Sequence, residues 1–518
     1  MNMLRYKSLL KIKVIIITSV FLFSCTEDYW DSHYEANPEI VAESNLWETI
    51  QSNPELSKFA EILQNYGYVE LLSQSQSYTV FAPDNSALSV LDTTNYNVKT
   101  ELIENHIARF FQTVSTKTDT VVSMLNGKRI KLGYKDGDFH FGGATFNSNL
   151  KTIVASNGIV HVLSKYEMFF PNIWEYLAKR SELDSLRKYM YSFDKIIFLP
   201  EASVPGSVLD GQQTYLDSVF INNNLLLAQL GYLNREDSSY TMLAPNNTAW
   251  IEAYDRIKSY FVFYVEGNAA YADSMQRVQT SFALVKDLIY NNTIQTSPDD
   301  SLVSTSRNTF YKPLEMFEGS ERVITSNGYL NITSQLKIDA LDSWHKPIKV
   351  EAERSLGREN TLSNPFSEKV PAGFTSISSG RYLKLEPTTS SGNPTVTFEI
   401  PNNLSDYYDI YCVFLSQKVL NPLALGVKPF KVYFSLTDLD ITGKISNQRF
   451  PSTGTIETNI EKIDTVLIQT DYKFAFSSYG EEDSSVKLKV VSNVARTETA
   501  NYSRELLIDC ILLEPKKK

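Results

Sequence analysis

The sequence predicts two tandem α+β domains followed by an all-β sandwich or jelly roll. Three observations carry this. Three short sequence blocks recur in the same order over the first two-thirds of the chain. From Pro347 onward, short apolar runs separated by turn residues replace any helical spacing. Aromatic residues are abundant, 30 Tyr and 28 Phe among 518 residues, and such rings pack well on pleated faces. A prior of ~150 residues per domain agrees with three domains. The boundaries read as 1–24, a leader; 25–40, a tether; 41–168 and 169–340, the two repeats; and 345–518, the sandwich.

The leader has a positive start, Arg5, Lys7, Lys11 and Lys13, then an apolar run from Val14 to Phe23. Ten residues make a helix of roughly 15 Å, about half the thickness of a bilayer core, so this is a secretory signal and not a span. Leu22-Phe23-Ser24-Cys25 resembles the lipobox of bacterial lipoproteins. That resemblance makes Cys25 the lipidated N-terminus of the mature chain, held in the outer membrane by its acyl groups. Thr26-Glu27-Asp28 resembles the acidic surface-export signal of Bacteroidetes lipoproteins, which implies the outer face.

Net charge is -11 and the pI near 5.2. No Lys/Arg stripe stands outside the leader and the terminal Lys516-Lys517-Lys518, so a nucleic-acid partner is excluded. Beyond Cys25 the only cysteines are Cys412 and Cys510, each inside an apolar strand-like run. They read either as two buried thiols or as one disulfide between adjacent strands in an oxidising envelope.

Asn45-Leu46-Trp47-Glu48 is answered by Asn172-Ile173-Trp174-Glu175, each followed by Glu-Leu at the same distance. The segment from Tyr78 to Leu88 is answered by Tyr240 to Trp250, with six of eleven positions identical. Ser156-Asn157-Gly158 and its following strand are answered by Ser326-Asn327-Gly328. The period far exceeds that of solenoid repeats, so whole domains are duplicated. Within each unit, apolar spacing from Trp47 to Leu72 predicts helix broken near Pro54. Tyr78 opens a buried strand ended by Pro83, and Asp84 is placed to cap a helix near Ser86. Asn157-Gly158 predicts a hairpin, because both residues tolerate positive φ.

These blocks resemble the fasciclin domain. Tyr78-Thr79-Val80-Phe81-Ala82-Pro83 is similar to the family's first motif, and Asn157-Gly158-Ile159-Val160-His161-Val162 to its second. The resemblance implies a fasciclin-like wedge of β-sandwich and helices in each repeat, with adhesion or partner binding as its role. The family's Tyr-His pair is replaced by Asn105-His106 in the first repeat and by Ile289-Tyr290 or a neighbouring pair in the second. For His106 the alternative to a ligand role is packing on the inner face of Leu102, Ile103, Ile107 and Phe110.

In the last third, strand-like runs begin at Ile348, Tyr382, Thr395, Tyr408, Phe430, Thr465, Val486 and Leu506. Eight or more strands without a clear helix predict a sandwich. Its ends, Glu351-Ala352-Glu353 and Ile508-Asp509-Cys510-Ile511-Leu512-Leu513, resemble carbohydrate-binding jelly rolls of the galactose-binding-like type. That resemblance implies a structural Ca²⁺ at Glu351, Glu353 and Asp509, since Ca²⁺ favours oxygen cages. Solvated strand-end carboxylates are the alternative. Tyr408, Tyr411, Tyr472 and Tyr479 are the rings that would stack on sugars if exposed, and alternation buries about half of such residues.

The histidines His33, His106, His140, His161 and His345 are scattered, and no zinc, nucleophile-elbow, Walker or dinucleotide fingerprint appears. Asp438-Leu439-Asp440 and Asp299-Asp300 are short acidic turns that lack the ligands of an EF-hand. No catalytic residue is assigned, and the chain reads as a non-enzymatic binding protein. Fasciclin-containing lipoproteins of Bacteroidetes accompany a TonB-dependent transporter and its lid lipoprotein. The resemblance therefore implies an accessory of nutrient uptake that captures a glycan or peptide. The alternative is a structural adhesin that binds cells or matrix.

Overall fold

The computed structural model describes residues 43–91, 96–149, 152–209, 211–294, 301–371, 374, 376–481 and 484–517. Cys25, the 1–24 leader, the 25–40 tether, His33 and Asp299-Asp300 lie outside the described residues. One compact unit runs to Phe170 and a second starts at Pro171.

In the first unit the Asn-Leu-Trp-Glu block is a helix start. Asn45 Oδ1 accepts from Glu48 N at 3.0 Å while Glu48 Oε2 accepts from Asn45 N at 3.0 Å, so two orphan donors are satisfied reciprocally. The helix Leu46–Gln51 stops before Pro54, and Ser57–Asn65 continues beyond a single 3₁₀ turn. Asp84 caps Asn85–Ser89 by accepting from Ala87 N at 2.8 Å. Strand Tyr78–Pro83 pairs in parallel with Gly158–Leu163, flanked by Ile107–Arg109 and Ile153–Ala155. Every residue of both central strands is buried. Two cores explain it. Leu46, Phe59, Leu63, Val80 and Val160 pack on the helical side. Phe81, Leu132, Phe141 and Leu163 pack against a second four-stranded sheet, where Phe81 and Phe141 stack at 3.9 Å. A strand covered on both faces reads as a continuous apolar run.

The second unit repeats that sheet order with Ile289–Asn291, Tyr240–Pro245, Gly328–Thr333 and Glu321–Thr325. Its Asn172–Glu175 pair forms the same capping box. Two additions distinguish it from the first. A 17-residue helix, Ala269–Val285, follows the helix Asn247–Lys258. A β-arm over 194–224 separates the helices Asp184–Tyr191 and Leu225–Leu230. In the first unit only Tyr66-Gly67-Tyr68 joins the corresponding helices.

The remainder of this unit, from Ile348, forms two six-stranded sheets. Leu383, Leu385, Ile410 and Ile508 of one sheet share a core with Val396, Phe398, Phe434 and Leu488 of the other. Alternation is clearest in Lys431–Leu439, where every second residue is buried. The two-sheet part is fused to the repeat before it. Leu404 enters the repeat's core, Phe261 meets Tyr479 edge-on at 5.5 Å, and Ser405 N donates to Tyr260 O at 2.9 Å.

Candidate functional site

The Asn-Gly blocks are staples. Asn157 Oδ1 accepts from Leu46 N at 2.7 Å, and Nδ2 donates to Leu72 O at 2.9 Å and Gln74 O at 2.6 Å. Asn327 makes the same three bonds, with Ile173 N, Leu233 O and Arg235 O. The expected hairpin forms between Ile153–Ala155 and Gly158–Leu163, but it closes at Ala155 and Gly158, so its turn residues are Ser156-Asn157 rather than Asn157-Gly158. Gly158 is required because a Cβ there would lie 2.1 Å from Tyr78 O of the parallel partner strand.

His106 is fully buried. Its Nδ1 donates to Leu102 O at 2.7 Å, and Nε2 accepts from Glu167 N at 2.9 Å. Burial lowers its pKa to about 4, so it is a neutral packing residue. Phe110 does not share that inner face: its ring is 69 % exposed, with Phe111 half-exposed beside it. The register places Leu288 of the second repeat at the position of His106, and Asp287 at that of Asn105. Ile289-Tyr290 therefore lies two residues beyond the pair, which is Asp287-Leu288. Asp287 is fully buried and accepts from Ser304, Asn308 and Ser343. His161 bridges Thr152 and the Gln112 carbonyl, and His140 contacts the Lys135 carbonyl. Both stand in structural roles.

The tyrosines singled out for sugar stacking are not platforms. Tyr408 and Tyr472 are buried, Tyr479 packs on the core of the second repeat, and Tyr411 is half-buried. Cys412 and Cys510 are free. Cys412 lies opposite Ile511 in the ladder, and Cys510 is the neighbour of Ile511, so alternation sends the two thiols to opposite faces. Asp440 is spent closing a hairpin turn, and Asp438 accepts the Tyr472 hydroxyl at 2.8 Å.

Glu351, Glu353 and Asp509 do converge, on the turn Ser378–Gly380. Ser378 N donates to Asp509 at 3.1 Å, its hydroxyl to Glu351 at 2.5 Å, and the Ser379 hydroxyl to Glu353 at 2.5 Å. One oxygen of each glutamate is left buried without a hydrogen-bond partner. Burial and the charges of Glu351 and Glu353 push the Asp509 carboxyl up to about 6. As these side chains stand they are not a ready cage. Among the described residues no group of three or more His, Cys, Asp or Glu is arranged to hold a metal ion, and here the serines hold one oxygen of each glutamate. The donor set itself is all oxygen, as Ca²⁺ requires.

A groove of about 650 Å³ opens at one end of the two-sheet domain. Phe430 and Leu507, both buried, form apolar parts of its lining. Gln417, Lys428, Tyr502 and Glu505 supply polar groups, and Leu425 stands almost wholly exposed at the rim. Several bonds hold the lining in shape. Lys428 Nζ donates to Thr499 O at 2.6 Å, joining two lining loops. Buried Arg504 donates to the carbonyls of Val494 and Ser390. The Tyr502 hydroxyl donates to Glu457 at 3.0 Å, and Lys431 Nζ sits 5.4 Å from the ring centroid. Glu505 has its carboxyl raised by burial, while Lys384, 3.7 Å away, draws it back. Lys384 also reaches Glu386 at 2.7 Å and Glu368 at 3.9 Å, an ion-pair network around one ammonium. Volume and mixed lining match a small-molecule or oligomer site. Sequence reading missed this site because its residues come from three separate stretches, 387–390, 417–430 and 499–507, which share no motif.

No helix among the described residues is long and apolar enough to cross a membrane, which says nothing of a crossing by strands. Residues 54–166, within the first unit, match the fasciclin domain family. No curated protein matches the chain. Among solved structures, a domain pair from the insect cell adhesion molecule fasciclin I has 13% identity and a TM-score of 0.20, covering 56% of this chain and 98% of that one. A xylan-binding domain from Paenibacillus barcinonensis has 13% identity and a TM-score of 0.20, over 33% of this chain and 95% of its own. An endo-1,4-β-D-xylanase from Clostridium thermocellum has 10% identity and a TM-score of 0.21, over 33% of this chain and 28% of the enzyme.

Proposed function

We propose that this protein is a non-enzymatic, lipid-anchored accessory of a TonB-dependent uptake complex at the outer membrane. It has two fasciclin-like repeats, and the terminal sandwich captures a glycan or peptide. The groove between residues 417–430 and 499–507 carries this reading. It offers an aromatic ring fixed by Glu457 and Lys431, a carboxylate, an ammonium and an amide over an apolar lining. Sugars present both apolar ring faces and hydroxyls, and this set answers both.

The test is calorimetric titration of the chain, starting at residue 26, with xylo-, malto- and fructo-oligosaccharides and with a peptide digest. Binding that Tyr502→Ala and Gln417→Ala each weaken by about tenfold, roughly 1.4 kcal/mol, supports the groove. Binding indifferent to both variants moves the site elsewhere. A second reading, a structural adhesin, is favoured by one observation: Phe110 and Phe111 stand exposed on the fasciclin domain. Loss of cell attachment with Phe110→Ser, with no oligosaccharide or peptide bound, would select it.

A further inference from the structure

Apart from its root at Asn224, the β-arm over 194–224 contributes nothing to the core of its own repeat. It is built of two ribbons, Asp194–Phe198 with Phe220–Asn224 and Val204–Leu209 with Gln212–Asp217, and neither pairs with any other described strand. Its root is fixed: Asn224 Nδ2 donates to Met190 O and to Asp194, and Asn224 Oδ1 caps the helix that follows. Its middle is fixed by the Ser203 hydroxyl, which donates to Leu199 O and accepts from Val219 N. Phe198 touches Tyr215 and Phe220. Ile196 and Leu216 are 78 % and 81 % exposed, and Val208, Leu209 and Phe220 are exposed as well. A lone two-stranded ribbon in water is marginal, and an open edge beside exposed apolar residues is a template for another strand. The first repeat joins the same helices with three residues, so the arm is not the way this fold closes.

We infer that the arm is a docking element for a second, different protein that adds a strand to it and presents apolar residues rimmed by Lys or Arg. Charge decides among the occupants. Within 194–224 the sequence has Asp194, Glu201, Asp210 and Asp217 against Lys195 alone, on a chain of net charge -11. A second copy would set acid against acid, and an anionic membrane would repel the same groups. A basic-rimmed strand answers both the charge and the open edge. The inference stands apart from whatever the groove binds.

The experiment places a photocross-linking residue at Ile196 or Leu216 of the full chain in the native envelope. The expected result is one discrete adduct with another polypeptide. Its cross-linked peptide alternates apolar residues with Lys or Arg. A synthetic copy of that peptide binds the purified chain and loses about tenfold in affinity at about 0.5 M NaCl. It does not bind a variant in which 192–224 is replaced by the Tyr-Gly-Tyr link of the first repeat. It also does not bind the double variant Ile196→Lys, Leu216→Lys, whose changes lie at exposed positions and leave the fold intact. An adduct of twice the chain's mass, adducts with lipid only, no adduct, or a peptide whose binding ignores salt or both variants would each overturn the inference.

Discussion

Phe110 and Asn292 occupy the same left-handed backbone position in the two repeats, at φ 65° and 67°. In both, the amide donates to a serine carbonyl, Ser77 or Ser239, and the carbonyl accepts the hydroxyl of Thr79 or Thr241. Asparagine tolerates this conformation, whereas a bulky side chain costs about 1–2 kcal/mol there. Phe110→Asn is therefore expected to stabilise the first unit by about 1 kcal/mol, and Asn292→Phe to destabilise the second by a similar amount. Hydrogen exchange of peptides from each unit during urea titration reads both. An unchanged or lowered stability with Phe110→Asn would mean that the exposed ring makes a compensating contact.

Asn157 and Asn327 are expected to be among the most costly polar residues to remove. Replacing Asn157 by Ala strands the buried Leu46 amide and frees two carbonyls. Each stranded buried group costs about 1–3 kcal/mol, so a loss of roughly 2–4 kcal/mol is expected for either Asn157→Ala or Asn327→Ala. A loss below about 1 kcal/mol would mean that water replaces the side chain and that the staple is not what joins helix to sheet.

Much of this architecture can be read from residues, and the omissions share a cause. The repeat blocks are visible because each does one fixed local job. Asn45 and Asn172 open a capping box, Tyr78 and Tyr240 open a strand buried on both faces, and Asn157 and Asn327 staple helix to sheet. Strands Arg358–Thr361, Ser363–Lys369 and Ile445–Phe450 escape notice because they lie at or near sheet edges, with few residues buried and Pro365 in one of them. The arm escapes for a related reason: strands that pack on nothing leave no burial pattern. The groove is assembled from stretches distant in sequence, most of its lining being loop, and loop chemistry has no period to read.

The pH dependence of the first unit follows from three buried groups. Burial lowers His106 and His161 from 6.5 to about 4. Between pH 4 and 6.5 the unfolded chain therefore binds protons that the folded chain refuses, and stability rises with pH. Glu167 has the opposite sign. Burial raises it from 4.5 to about 7 despite the amides of Gly143 and Ala144, so the folded chain keeps a proton that the unfolded chain releases, and stability falls across that range. Each group is worth on the order of 3 kcal/mol. Two histidines outweigh one glutamate below pH 6.5, and the glutamate acts alone from 6.5 to about 7. Maximal stability near pH 6.5 is expected, with the fall above it abolished by Glu167→Gln. A steady loss of stability from about pH 4.5 to 6.5 would reverse the sign and refute the assignment of neutral histidines.

The convergence of Glu351, Glu353 and Asp509 on Ser378–Gly380 gives the last prediction. Three carboxylates at one turn repel one another, and a hard divalent cation is what would relieve them, taking the two glutamate oxygens that have no partner. Ca²⁺ at a hundredfold excess over its dissociation constant would add about 2.7 kcal/mol, or roughly 5 °C or more in the melting temperature of a domain this size. EDTA should remove the gain. Asp509→Asn should abolish the response to Ca²⁺ while relieving part of the repulsion, so the variant without Ca²⁺ should melt no lower than the parent without Ca²⁺. A melting temperature indifferent to Ca²⁺ and EDTA would leave the two glutamates held by the serine hydroxyls, with Arg358 as a neighbouring charge on Glu353. The cluster would then be a turn clamp whose stability rises as pH falls toward the Asp509 value of about 6 and below it.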